Sequence, residues 1–186
     1  MKALLYDILA SLRRWGVTHV FNLNWHGDVA HNLAILDAVR EAREETGIRA
    51  YCILNALDVK RFGLSGREPH VIVRKSDRHK GSLPKYLEIH AESTETGIMA
   101  RYFPSQVDVN LAGNLKSTDL TFDDLMVWRQ GWDDARKVTP QGYFGDPAGF
   151  DPDRAEELIS GLGRETADLI ELFLKGDYRP EAVDNR

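Results

Sequence analysis

The segment Asn24-Trp25-His26-Gly27-Asp28 places an imidazole and a carboxylate two positions apart, where the largely apolar run Val17 to Leu23 ends and a helical pattern begins near Val29. In extended backbone, side chains at i and i+2 project to the same side. His26 and Asp28 could therefore ligate one divalent ion or bracket two, with Gly27 leaving the space between them open. The alternative for the same residues is structural, with His26 hydrogen-bonded at a strand end and Asp28 the N-cap of a helix from Val29 to Glu45.

A second cluster, His90-Ala91-Glu92-Ser93-Thr94-Glu95-Thr96, follows the apolar run Tyr86 to Ile89. If Thr94 to Tyr102 is helical, Glu95 falls in its first turn near His90, a placement suited to a general acid or base. Here too there is a structural alternative, a helix start capped by Ser93 or Thr94 with glutamates at the positive end of the helix dipole. Two strand-end histidines, each followed by a carboxylate and a helix, favour a shared chemical role over coincidence.

The elements needed to hold these groups are legible around them. Leu4, Leu5, Ile8, Leu12 and Trp15 recur at helical spacing and Gly16 follows as a stop. A strand over Val17 to Leu23 comes next, then a helix marked by Leu33, Leu36, Val39 and Ala42 and ending near Gly47. Ile48 to Leu54 is nearly continuously apolar, as in a buried parallel strand. Helix, strand, helix, strand is the signature of an α/β layer fold, whose ligand sites lie at strand carboxyl ends. Residues 55–86 read as an irregular insertion containing the short apolar run Val71-Ile72-Val73. The stretch from Asn114 to Pro140 is polar and aromatic, with Trp128 and Trp132 read as packing or interface anchors, or as a lid. Ala155, Leu158, Ile159, Leu162, Thr166, Leu169, Ile170 and Phe173 mark a long amphipathic helix against the sheet. One domain is expected over 1–176, with 177–186 a flexible tail from which Tyr178 onward buries little.

Composition narrows the function classes. With 186 residues, 42% of them hydrophobic, the chain can bury a sizeable core, and its net charge of −5 argues against general nucleic-acid binding. The basic run Arg74-Lys75-Ser76-Asp77-Arg78-His79-Lys80 is interrupted by Asp77 and lacks a glycine-rich helix start, so it reads as a solvated loop rather than a phosphate site. The single Cys52 leaves no intramolecular disulfide and suits a reducing cytoplasm. No signal-peptide order and no membrane-length apolar run is present, so a cytoplasmic protein without membrane partners is expected. No Gly-x-Ser-x-Gly elbow supports a serine nucleophile. His19 reads as a core or hydrogen-bonded residue, and His70 and His79 as surface residues. His31 and Asn32 fall in the first turns after the first cluster.

The two clusters resemble motifs of the creatininase (creatinine amidohydrolase) family. Asn24 to Val29 is similar to its Asn-Gly-His-x-x-Asn motif, with Trp25 and Val29 departing from it. Residues His90 to Thr96 match its His-Ala-Gly-x-x-Glu-Thr motif except that Glu92 stands in place of glycine. Gly142-Tyr143-Phe144-Gly145-Asp146-Pro147 matches its late Gly-x-x-Gly-Asp-Pro segment. The resemblance covers about Leu4 to Leu174. It implies a three-layer α/β/α fold with a mostly parallel sheet, and a metal-dependent amidohydrolase cleaving a cyclic amide or formamide C–N bond. By it, His26 and Asp28 are ligands of zinc or manganese, His90 and Glu95 are catalytic, the substrate is a small-molecule amide, and the assembly is a homo-oligomer, a hexamer in this family. Family members also carry an N-terminal Glu-x-His pair and a downstream Asp as ligands, which are not seen in a chain opening Met1-Lys2-Ala3-Leu4. A late start or truncation, ligands supplied by another chain, or a catalytically silent member acting as an oligomeric structural or binding subunit are the readings this leaves open.

Overall fold

The computed structural model describes residues 1–74 and 85–179. Its elements are α1 (Lys2–Arg14), β1 (His19–Leu23), α2 (Val29–Thr46), β2 (Arg49–Asn55), α3 (Ala56–Arg61), β3 (Val71–Arg74), α4 (Ser93–Tyr102), α5 (Val109–Asn114), α6 (Phe122–Trp128), α7 (Trp132–Val138) and α8 (Pro152–Lys175), with short 3-10 turns at Pro104–Gln106 and Pro147–Gly149. The chain forms two compact units, Met1–Arg78 with Leu169–Arg186, and His79–Asp168. The basic run from Lys75 to Lys80, His79 included, and the tail beyond Arg179 lie outside the described residues.

In the first unit β1, β2 and β3 form a parallel sheet in that order, with His19 opposite Arg49 and Cys52 opposite Val71. Alternation along β2 decides what covers each face. Ala50, Cys52 and Leu54 point into a core with Leu9 of α1 and Ile35, Leu36, Val39 and Ala42 of α2. Tyr51 and Ile53 point the other way, with Ile72, onto Leu169, Ile170 and Phe173 from the end of α8. Both faces of the sheet are thus covered by helices, the three-layer α/β/α arrangement, and this is why β2 is apolar throughout rather than alternating. Leu9, Val39, Ile48, Val59 and Ile72 are 0–1% exposed, and full burial of such side chains stabilises by about 2 kcal/mol each.

Local signals set the ends of α2. Asp28 caps it through a hydrogen bond from the His31 amide, and Gly47 closes it in the left-handed conformation at φ +70°. The segment 55–86 is more regular than its composition suggests, since α3 and β3 both fall in it. Asn55 caps α3 and Asn55–Arg74 pairing extends the sheet, so the glycines there punctuate elements instead of replacing them. Tyr178 also departs from expectation: its hydroxyl accepts from the Val73 amide at 2.9 Å and its ring packs on Phe173, anchoring the start of the expected tail.

In the second unit, α6 opens with a Thr121/Asp124 capping box. α4 lies so close to the start of α8 that a Cβ at Gly97 would come within 2.9 Å of the Asp151 carbonyl oxygen. Among the described residues no helix is long and apolar enough to cross a membrane.

Candidate active site

The β1–α2 connection is built by two amides. Asn24 Nδ2 donates to the His26 carbonyl at 3.0 Å and to Asn32 Oδ1 at 2.8 Å, while the buried Asn32 donates to the carbonyls of His26 and Asp28, both at 2.7 Å. These bonds fix the backbone of the loop and leave the side chains of His26 and Asp28 exposed at the carboxyl end of the sheet. Asp28 Oδ1 is engaged as the α2 cap, accepting from the His31 amide at 2.7 Å. The His26 ring meets the His31 ring edge to face with centroids 4.9 Å apart, and a Cβ at Gly27 would lie 3.7 Å from an Arg61 guanidinium nitrogen.

These contacts test the metal reading. His26 and Asp28 are suitable donors, but a catalytic zinc site holds three protein ligands. Among the described residues no three of His, Cys, Asp or Glu come together to hold an ion. Among the described residues His26 and Asp28 are joined by no third donor, and Asp28 performs the capping role that its sequence position equally allowed.

His90 and Glu95 lie in the second unit, and the structure does bring them together. His90 Nδ1 is 3.5 Å from Glu95 Oε2, and both side chains are exposed to solvent. Glu95 is held by the Ala91 amide, which donates to Oε2 at 2.6 Å. Ala91 sits at φ +47°, a left-handed conformation that a non-glycine residue adopts only when its surroundings hold it there. Behind it, His90 and Phe144 form an isolated antiparallel bridge, with Phe144 N donating to the His90 carbonyl at 2.8 Å. His90 is thus held by a bridge to the Gly-Asp-Pro segment and not by a strand running from Tyr86.

The α4 cap is Glu92, neither Ser93 nor Thr94. Its carboxylate accepts from the amides of Thr94 at 2.6 Å and Glu95 at 3.1 Å. A carboxylate outcompetes the hydroxyls here because it is charged and reaches two amides at the positive end of the helix. Trp128 supplies the other wall of the His90 ledge. Its ring centroid lies 5.9 Å from that of His90 and 6.2 Å from Phe144, and its indole N–H donates to Thr139 Oγ1 at 2.9 Å. Trp132, by contrast, is 94% exposed at φ +48°.

Residues with structural weight at these sites that the motifs did not single out are Asn24, whose amide clasps the loop, and Glu88, whose carboxylate accepts from Ser93 Oγ and the Asp146 amide. The signal for Glu88 was weak, because its partners Ser93 and Asp146 belong to separate motifs.

The family model described as Creatininase: Creatinine amidohydrolase matches residues 1–170, and the chain belongs to that amidohydrolase family. No curated protein and no solved structure matches it. The family is generally metal-dependent, which sets its expected chemistry beside the two-donor arrangement described above.

Proposed function

We propose that this chain is a hydrolase subunit that cleaves the C–N bond of a small cyclic amide or formamide, with His90 moving the proton and Glu95 positioning it. The observation that carries the reading is the His90–Glu95 pair, 3.5 Å apart and open to solvent beside a strained Ala91. With Nδ1 turned to Glu95, Nε2 is the nitrogen left to face a substrate. Nε2 takes a proton from an attacking water as its oxygen bonds the carbonyl carbon. The resulting imidazolium, stabilised by the Glu95 carboxylate, returns the proton to nitrogen as the C–N bond breaks. Trp128 gives the ledge an apolar wall that favours a flat, small ligand.

Zinc or manganese is the cofactor that membership of the family suggests, with His26 and Asp28 as its donors on this chain. The described residues bring no third donor to these two. Assembly with further copies of the chain, as a hexamer by family resemblance, would bring in ligands from a neighbour.

The test is product detection by mass spectrometry on a panel of lactams, cyclic ureides and formamides, with and without added zinc or manganese, for the unaltered chain, His90→Ala and Glu95→Gln. Hydrolysis that falls roughly 100-fold or more in His90→Ala supports the reading. Hydrolysis unchanged in His90→Ala overturns the assignment. A second reading is a catalytically silent oligomeric subunit. It predicts a stable oligomer with no turnover under any divalent metal, and metal-stimulated hydrolysis would refute it.

A further inference from the structure

Where the family motif has glycine, this chain has Glu92, and that departure puts a second carboxylate against Glu88. The Ser93 hydroxyl lies between the two carboxyl groups, at 2.5 Å from Glu88 Oε2 and 3.3 Å from Glu92 Oε2. Glu92 is 7% exposed and Glu88 is half-buried. A hydroxyl donates one proton, so it bonds both carboxyl groups only when one of them is itself protonated and donates to the hydroxyl oxygen. Each also reaches a different segment. Glu92 caps α4 through the Thr94 and Glu95 amides, whereas Glu88 accepts from Ser93 Oγ and, at 3.1 Å, from the Asp146 amide. The 144–147 turn is pressed onto this pair: a Cβ at Gly145 would come within 2.6 Å of Glu92 Cβ and 3.3 Å of Glu88 Cα, and Gly145 is itself clasped by Thr118 through N–H···Oγ1 at 2.9 Å.

We propose that Glu88 and Glu92 hold one proton between them, and that this proton latches the first turn of α4, and with it the Glu95–His90 pair, to the Gly145–Asp146 turn. The role rests on the reading of His90 and Glu95 given above, and Glu88 and Glu92 act in it as positioning residues. The groups facing Glu88 are Glu92 and the Ser93 hydroxyl from α4, and Asp146 from the turn, whose carboxylate lies beside Gly149 close to Ser93. His90 is two residues along on its own segment and Glu95 one helical turn away. Loss of the proton leaves the two carboxylates facing each other with like charge. Burial first, and the adjacent Glu92 next, push Glu88 up to about 7. Glu92 is held below the ordinary carboxylate range: burial opposes this, but the adjacent Glu88 and the hydrogen bonds from the Thr94 and Glu95 amides prevail. The pair therefore titrates as a unit. Below the upper step the latch is closed. Above it, like-charge repulsion pushes the cap away from Glu88 and loosens Glu95 from His90.

The experiment is carbon-13 NMR of the whole chain with glutamate carboxyls labelled, from pH 5 to 9, alongside the imidazole proton signals of His90, for the unaltered protein, Glu88→Gln and Glu92→Gly. One glutamate carboxyl titrating near neutrality, with an inflection at His90 at the same pH, is expected in the unaltered protein. Glu88→Gln should remove both. Glu92→Gly, which restores the motif glycine, should shift the Glu88 titration downward and abolish the His90 inflection. The absence of any glutamate titrating between pH 6 and 8 in the unaltered protein overturns the latch, as does a titration that leaves His90 unmoved. Neither spectrum depends on turnover, so a silent chain that shows the coupled titration sinks the hydrolase reading and leaves the latch standing.

Discussion

The Trp128 indole faces His90 with ring centroids 5.9 Å apart and planes tilted by 42°, while its N–H is anchored on Thr139. Trp128 is therefore tied into the second unit beside the candidate acid, and of the two tryptophans only Trp132 is presented almost wholly to solvent. Trp128→Ala removes the wall and strands the Thr139 hydroxyl, and for a half-buried tryptophan the expected loss is about 2 kcal/mol. Urea unfolding measures it. Trp132→Ala should change the midpoint by less than about 0.5 kcal/mol equivalent, because an exposed side chain with few contacts has little to lose.

That contrast marks how far the chain could be read from its residues. Period and caps placed α1, α2, β2 and α8, because each buries a continuous apolar face that its own sequence spells out. The His90–Glu95 pair was legible for the same reason, since both residues lie within one turn of a helix start. Trp128 and Trp132 were read together as packing or interface anchors, or as a lid, but the chain turns at Gly131, at φ +79°, and separates their environments. The Glu88–Glu92 contact was illegible because it is completed by Asp146, which the chain brings back from 58 residues away. Segment 55–86 hid a helix and a strand because four-residue β3 is too short to show a period.

Gly145 and Gly142 separate steric from conformational demands on glycine. Both have positive φ, +138° and +85°, but a Cβ at Gly142 meets nothing within 4 Å whereas one at Gly145 strikes Glu92 Cβ at 2.6 Å. Gly142→Ala should cost about 1 kcal/mol from backbone strain alone. Gly145→Ala must also displace the Glu92 cap, and an additional loss of about 1–3 kcal/mol is expected. Thermal unfolding of the two variants side by side checks this; equal losses would show that the Gly145 turn yields without disturbing Glu92.

His70 gives the first unit an acid-sensitive point. Expected from the sequence at the surface, it is instead 7% exposed just before β3, and burial first, then the Arg43 guanidinium, lower its pKa below 6.5. The unfolded chain binds a proton below about pH 6.5 that the folded His70 resists, so ν_U exceeds ν_N there and stability falls as pH falls. One such proton contributes a slope of at most about 1.4 kcal/mol per pH unit. Glu88 works in the opposite sense, since its raised pKa makes the folded state bind more protons than the unfolded between about pH 4.5 and 7. Comparing urea midpoints of the unaltered protein and His70→Gln at pH 7.5 and 5.5 isolates the first effect. The variant should lose less stability on acidification, and an identical loss in both would assign the acid sensitivity elsewhere.

Metal content decides what the β1–α2 loop is for. His26 is exposed and Asp28 spends one carboxylate oxygen on the His31 amide, so an ion bound here would have two protein donors where a catalytic zinc needs three. With these two as the sole donors the ion exchanges readily, and reconstitution with zinc and gel filtration leaves well under one equivalent per chain by elemental analysis. His26→Ala should then differ little from the unaltered protein. Near-stoichiometric zinc that His26→Ala abolishes would instead mean that further ligands complete the site. Asp28→Asn distinguishes the two roles of that residue: an amide oxygen keeps the cap on α2 and preserves stability to within about 0.5 kcal/mol, while a site that needs the carboxylate charge loses its metal.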